Sequence, residues 1–153
     1  MAAVMLFLSL FIFLTERGFA DRSSFGEIEK SDSRMYGERK IIVCGYPASE
    51  QSQILAVIGQ AGLAEVPVVF ADEGCLKKTL KEITALPDRF GATVNSRMQR
   101  AVILSGLSNK EVHRIMDDYR SNGLPRQLWA ALIPASENRT LKDMLDEFSH
   151  EHD

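Results

Sequence analysis

From residue 40 onward the chain passes twice through the same order of patterns, and no other feature limits its fold as much. Residues 40–44, "KIIVC", form an apolar β-branched run of strand length. Residues 49–61 carry Ile54, Leu55 and Ile58 on one helical face and stop at Gly62. Residues 66–71, "VPVVFA", read as a second strand, with Pro67 near its start, where a missing N–H matters least. Leu76, Leu80 and Ile83 mark a second helix, and residues 87–97, "PDRFGATVNSR", have no period and read as a connection. The series then restarts. It gives a strand at 101–104, a helix at 108–122 carrying Val112, Ile115, Met116 and Tyr119, a strand at 128–133, and a helix from Thr140 to about His150 carrying Leu141, Met144, Leu145 and Phe148.

The two passes align without a gap at an offset of 61. Ile42 meets Ile103, Gly45 meets Gly106, Glu50 meets Glu111, Ile54 meets Ile115 and Gly62 meets Gly123, while "TLKEI" falls on "TLKDM". Glycines matched after the strand and after the helix are informative, because those positions call for a left-handed or crowded backbone. The reading is a tandem βαβα repeat, residues 40–86 and 101–152, in one α/β domain spanning 35–153. One such unit is too small to close a core alone, whereas two together can do so. The expected architecture is a four-stranded, mainly parallel sheet with four helices and right-handed crossovers within each half.

The turn after the first strand, "CGYPASE", lacks the spacing of a dinucleotide-binding or P-loop glycine cradle. Its counterpart, "SGLSNKE", places Ser108 and Glu111 at capping-box spacing. In the first half Pro47 stands at the matching place and Ser49 is the expected cap. The glycine is therefore assigned to the turn.

Charge excludes one class of partner. Eighteen basic residues against 21 acidic ones give a formal net charge of −3, so no basic surplus exists to displace counterions from nucleic acid. Residues 2–14, "AAVMLFLSLFIFL", are apolar but short of the roughly 20 residues that span a bilayer. They resemble the apolar core of a signal peptide, with small residues near Ala20, although no basic residue precedes Arg17. Residues 1–34 thus form an apolar leader and a polar linker, with no stable membrane span beyond the leader. The preferred expectation is translation from Met35 and a cytoplasmic protein; the alternative is export with cleavage near Ala20.

In parallel α/β sheets, ligands sit beyond the carboxyl ends of strands. That rule nominates Cys44, Gly45, Tyr46, Asp72, Glu73, Gly74 and Cys75 in the first half, and Ser105, Gly106, Pro134, Ser136 and Asn138 in the second. Cys75 lies ahead of a helix beside Lys77 and Lys78, which would both lower a thiol's pKa. Free cysteine is more often a buried small apolar side chain, and that reading is preferred. If the protein is exported, Cys44 and Cys75 are the pair available for a disulfide. His113 and Asp117–Asp118 are placed on a helix surface, and Trp129 in the core. The His150/His152 pair lies in an acidic tail without further ligands, so no metal and no cofactor are expected. No nucleophile–base arrangement is legible.

The segment "VILSGLSNKEVHRIMDDYRSNGLPRQLWAALIPASENRTLKDMLDEFSHEH" resembles a small bacterial family known only as a domain of unknown function. The resemblance rests on the strand 102–104, Gly106, Glu111, Gly123 with Leu124, Ala130, Pro134, Asn138 and the acidic helix 141–151. Ile133 departs from the pattern, in which a threonine precedes the proline. The resemblance implies small cytoplasmic proteins and brings no activity or catalytic residue. The expected function is a non-enzymatic binding or regulatory module for a small molecule or protein. The alternative is a small thiol-dependent enzyme using Cys44 or Cys75.

Overall fold

In the computed structural model of the protein, the described residues are 12–14 and 34–152, with side chains described over 34–149. The rest of the apolar leader, the polar linker before Arg34, and the side chains of His150 and His152 lie outside them. The strands are β1 (Ile12–Leu14), β2 (Lys40–Cys44), β3 (Val68–Ala71), β4 (Ala101–Ser105) and β5 (Leu128–Ala131). The helices are α1 (Gln51–Gln60), α2 (Leu80–Thr84), α3 (Asn109–Ser121) and α4 (Leu141–His152), and 3₁₀ turns occupy Ala48–Glu50 and Glu73–Cys75.

The domain proper is a four-stranded open sheet, β5-β4-β2-β3, which the three residues of β1 extend by antiparallel pairing with β5. The sheet is mixed, which corrects the expectation of a mainly parallel one. β2 pairs with β3 in parallel and β4 with β5 in parallel, but the central β2 and β4 are antiparallel. The path between the halves explains the reversal. Residues 88–90 run beside β3, with Arg89 N–H donating to Val68 O at 2.6 Å and Phe70 N–H to Phe90 O at 2.8 Å. The chain then crosses the carboxyl ends of β3 and β2 and enters β4 at Ala101, opposite Cys44. β4 therefore starts where β2 stops, and a parallel placement would require another traverse of the sheet.

Both faces of the four-stranded sheet are covered, so β2, β3, β4 and β5 are buried throughout. Ile54, Val57 and Ile58 of α1 pack with Val112, Ile115, Met116 and Tyr119 of α3 over Ile41, Val43, Val102, Leu104 and Trp129. Leu80 and Ile83 of α2 and Leu141 and Met144 of α4 fill the other face over Ile42, Cys44, Ile103 and Ala130. Strands buried on both faces are near-continuously apolar rather than alternating, so the pattern carries no mark of strand direction. Trp129 is in the core as expected, edge-on to Tyr119 at 5.4 Å between ring centroids.

Register follows the 61-residue spacing throughout. Ile41 pairs with Val68 and Val102 with Trp129, while Ile42 pairs with Ile103 across the centre. Thr79 and Thr140 form an isolated bridge, flanked by Leu80 N–H to Arg139 O at 2.9 Å and Leu141 N–H to Lys78 O at 3.0 Å. That bridge corrects the length of the second helix. The carbonyls of Leu76 and Lys78 accept from Lys142 and Leu141, so this segment cannot be helical. α2 begins only after Thr79, whose hydroxyl and Glu82 form a capping box. The predicted Ser108–Glu111 box caps α3. Ser49 caps nothing: it lies within a 3₁₀ turn, and α1 starts without a side-chain cap.

Candidate functional site

The antiparallel centre divides the positions that a parallel sheet would have gathered. Cys44, Gly45, Asp72 and Cys75 lie at one end of the sheet, whereas Ser105, Gly106 and Asn138 lie at the other. Chain segments cover both ends. Gly45 has φ +75°, and a Cβ there would stand 2.6 Å from the carbonyl oxygen of Gln99. Gly106 has φ +68°, and a Cβ there would meet the carbonyl oxygen of Gly37 at 2.5 Å. The turn glycines admit a crossing backbone at each end.

Most of the nominated side chains are taken up by the fold. The Asp72 carboxylate accepts from Gly74 N–H at 2.9 Å and starts a 3₁₀ turn. Ser136 is fully buried, and its hydroxyl donates to Ile133 O at 3.0 Å. Asn138 is exposed in the turn before α4. Ser105 is fully buried, and its hydroxyl has no partner among the described residues. Cys44 and Cys75 are free and buried. Burial pushes both thiols above the ordinary range, most strongly for Cys44. His113, expected at the surface, is half-buried.

The richest polar cluster stands at the end of the sheet where β2 finishes and β4 and β5 begin. Tyr46, just past β2, donates to the Gln127 side-chain oxygen at 2.5 Å and lies 3.2 Å from the Tyr119 hydroxyl. Tyr119 in turn donates to Pro125 O at 2.6 Å. The Arg100 guanidinium lies over the Tyr46 ring, 4.8 Å from its centroid, and its Nη2 donates to Glu50 at 2.6 Å. Burial first, and then the Tyr119 contact, raises the Tyr46 pKa far above the ordinary tyrosine value, so the phenol stays neutral. Two nitrogen atoms in this cluster, Arg100 Nη1 and Gln127 Nε2, are buried without an acceptor among the described residues. An unmatched buried donor costs about 1–3 kcal/mol, so two such donors in one cluster demand a physical reason.

A second arginine makes the corresponding pair at the opposite end. Arg39 holds Glu111 with both terminal nitrogens, at 2.9 and 3.1 Å, and also donates to Glu65 at 2.8 Å. Arg39 and Arg100 are 61 residues apart, as are Glu50 and Glu111. The numbering thus carried a signal for these arginines, although they lie outside the positions that strand ends nominate. Tyr119 and Gln127 offered no such signal, since only the fold brings them to Tyr46.

The described residues contain no group of three or more His, Cys, Asp or Glu side chains able to hold a metal ion, and no helix long and apolar enough to cross a membrane. No curated protein and no solved structure matches the chain significantly. Residues 100–153, which run from the residue before β4 through α4, match the family described as Domain of unknown function (DUF3783), and the resemblance drawn from the carboxyl-terminal half holds.

Proposed function

We propose that the protein is a non-enzymatic binding or regulatory module, and that its ligand is met at the Tyr46, Arg100 and Gln127 cluster. One observation carries this reading: the cluster keeps two buried donor nitrogens without acceptors, inside an otherwise complete hydrogen-bond network. Sequestered donors of this kind suit an acceptor supplied from outside the chain. Burial of both sulfur atoms, which keeps the thiols protonated, weighs toward binding and away from thiol chemistry. A thermal-shift screen of the full chain against metabolites tests the reading, because a ligand that binds only the folded state raises the melting temperature by mass action. The expected result is a stabilising compound that is recovered unchanged. Turnover of a hit that disappears in Cys44→Ser or Cys75→Ser would replace the reading with the enzymatic alternative.

The same proposal treats the halves as copies of one βαβα unit. Support comes from identical parallel registers, the swapped Arg39–Glu111 and Arg100–Glu50 pairs, and the Thr79–Thr140 bridge, all at one spacing. A chain carrying residues 101–152 twice, joined by residues 87–100, is expected to fold cooperatively. If that chain stays unfolded, the copies are not interchangeable and the repeat loses its support.

A further inference from the structure

The two arginine pairs differ in one respect, and the difference specifies a ligand. Arg39 holds two carboxylates: Glu111 takes both terminal nitrogens and Glu65 adds a second carboxylate on Nη2. Arg100 holds one carboxylate, Glu50, through Nη2 alone, and its Nη1 is buried without an acceptor. The residue 61 positions beyond Glu65 is Arg126, a side chain that cannot accept a hydrogen bond from a guanidinium. Its neighbour Gln127 contributes the second open donor, Nε2, because its side-chain oxygen is already engaged by Tyr46. Arg39 therefore holds two carboxylates, whereas Arg100 holds one and keeps Nη1 open, in a cluster with a second open donor on a residue next in sequence to a further cation.

We infer that Arg100 and Gln127 form a binding site for a carboxylate-bearing small molecule, which gives Arg100, through its open Nη1, the second carboxylate that Arg39 already holds. The inference rests on the reading of the protein as a binding module and adds the class of ligand. A planar carboxylate suits two N–H donors, one of them charged, and such bonds are the stronger kind. Tyr46 and Tyr119 add no competing negative charge, because burial keeps the Tyr46 phenol neutral and the Tyr119 hydroxyl is committed to Pro125 O. Glu50 need not leave, since Arg39 shows one guanidinium in this fold holding two carboxylates. The Arg100 side chain retains 25% exposure, but its Nη1 and the Gln127 Nε2 are covered. A ligand reaches these nitrogens only when the chain covering them shifts; the irregular segment before β5, exposed at Pro125 and Arg126, adjoins Gln127.

The test uses the full chain with sodium acetate and sodium succinate as probes, against chloride and inorganic phosphate at equal ionic strength. The carboxylates are expected to raise the melting temperature saturably and to change Trp129 fluorescence, whereas chloride does neither. Arg126→Glu, at an exposed position next to Gln127, offers the cluster a carboxylate from within the chain. It should raise the melting temperature without ligand and abolish the carboxylate shift, while Arg126→Gln should keep the shift. No shift beyond chloride would mean that water satisfies the donors and would overturn the inference. An equal shift with phosphate would overturn the carboxylate class, and an unchanged shift in Arg126→Glu would overturn the location. A hit of another class in the metabolite screen, with no carboxylate effect, would sink this inference and leave the binding reading standing.

Discussion

Ile42 on β2 stands directly opposite Ile103 on β4, at the point where the two parallel strand pairs meet. Both side chains are fully buried on the face covered by α2 and α4. Around this pair the partner of each residue is the 61-shifted counterpart of its own mirror position. Ile41 faces Leu104 and Val43 faces Val102. The centre of the fold is thus a contact between two isoleucines 61 residues apart.

Truncation at that contact should cost the same from either side. Ile42→Ala and Ile103→Ala are each expected to lose about 2–5 kcal/mol, the range for large-to-small changes in a close-packed core. Guanidinium denaturation checks this through a lower midpoint at unchanged slope. Markedly unequal losses would show that the two sites differ in how well they can collapse around the cavity.

The turn glycines separate backbone strain from steric exclusion. Gly106 and Gly123 both have positive φ, but a Cβ at Gly106 would strike the Gly37 and Arg39 backbone, whereas Gly123 faces open space. Gly123→Ala should cost about 1 kcal/mol, the usual strain for a side chain in that conformation. Gly106→Ala should cost clearly more, because the crossing segment must move as well. Thermal unfolding of the two variants in parallel measures the gap.

Acid should weaken the clasp at Glu111. Its carboxyl is held below the ordinary carboxylate range, chiefly by Arg39 and then by the Ser108 backbone N–H. A depressed folded-state pKa contributes stability that is present above the unfolded value of about 4.3 and is lost as pH falls through the folded value. Glu111→Gln should therefore lower the denaturant midpoint at pH 7 and flatten the part of its acid dependence that lies below about pH 4.3. A variant with the wild-type pH profile would show that the Arg39 contact contributes nothing to folding.

The thiols should be silent in the native protein. Cys44 and Cys75 are free, buried and raised in pKa by that burial, so little thiolate is present or reachable at neutral pH. Iodoacetamide should label neither residue appreciably before denaturant is added and both afterwards. Native labelling faster than free cysteine would favour the thiol-enzyme alternative over the binding module.

The element pattern was legible because it is local. The β2 and β4 runs, the amphipathic spacing of α3 and α4, and the Ser108–Glu111 cap are written in neighbouring residues, where helix and strand periods are set. The short α2 was less so. Its first residues look helical, but Leu76 and Lys78 give their carbonyls to Lys142 and Leu141, more than sixty residues away. Of the polar cluster, only Tyr46 was reachable from the strand-end rule, since Arg100, Tyr119 and Gln127 converge on it from other elements.

What the sequence determined by itself is the order of the elements from β2 to α4 and the largely apolar identity of strands β2 to β5. Those depend on periodicity and on residue type, both of which survive in one dimension. Only the tertiary structure decided that the halves meet through antiparallel β2 and β4, that the nominated strand ends fall at opposite edges, and that Arg100 is left with an open donor where Arg39 has none. Strand direction and donor satisfaction belong to pairs of residues far apart in the chain. A strand buried on both faces carries no sign of which way its neighbour runs.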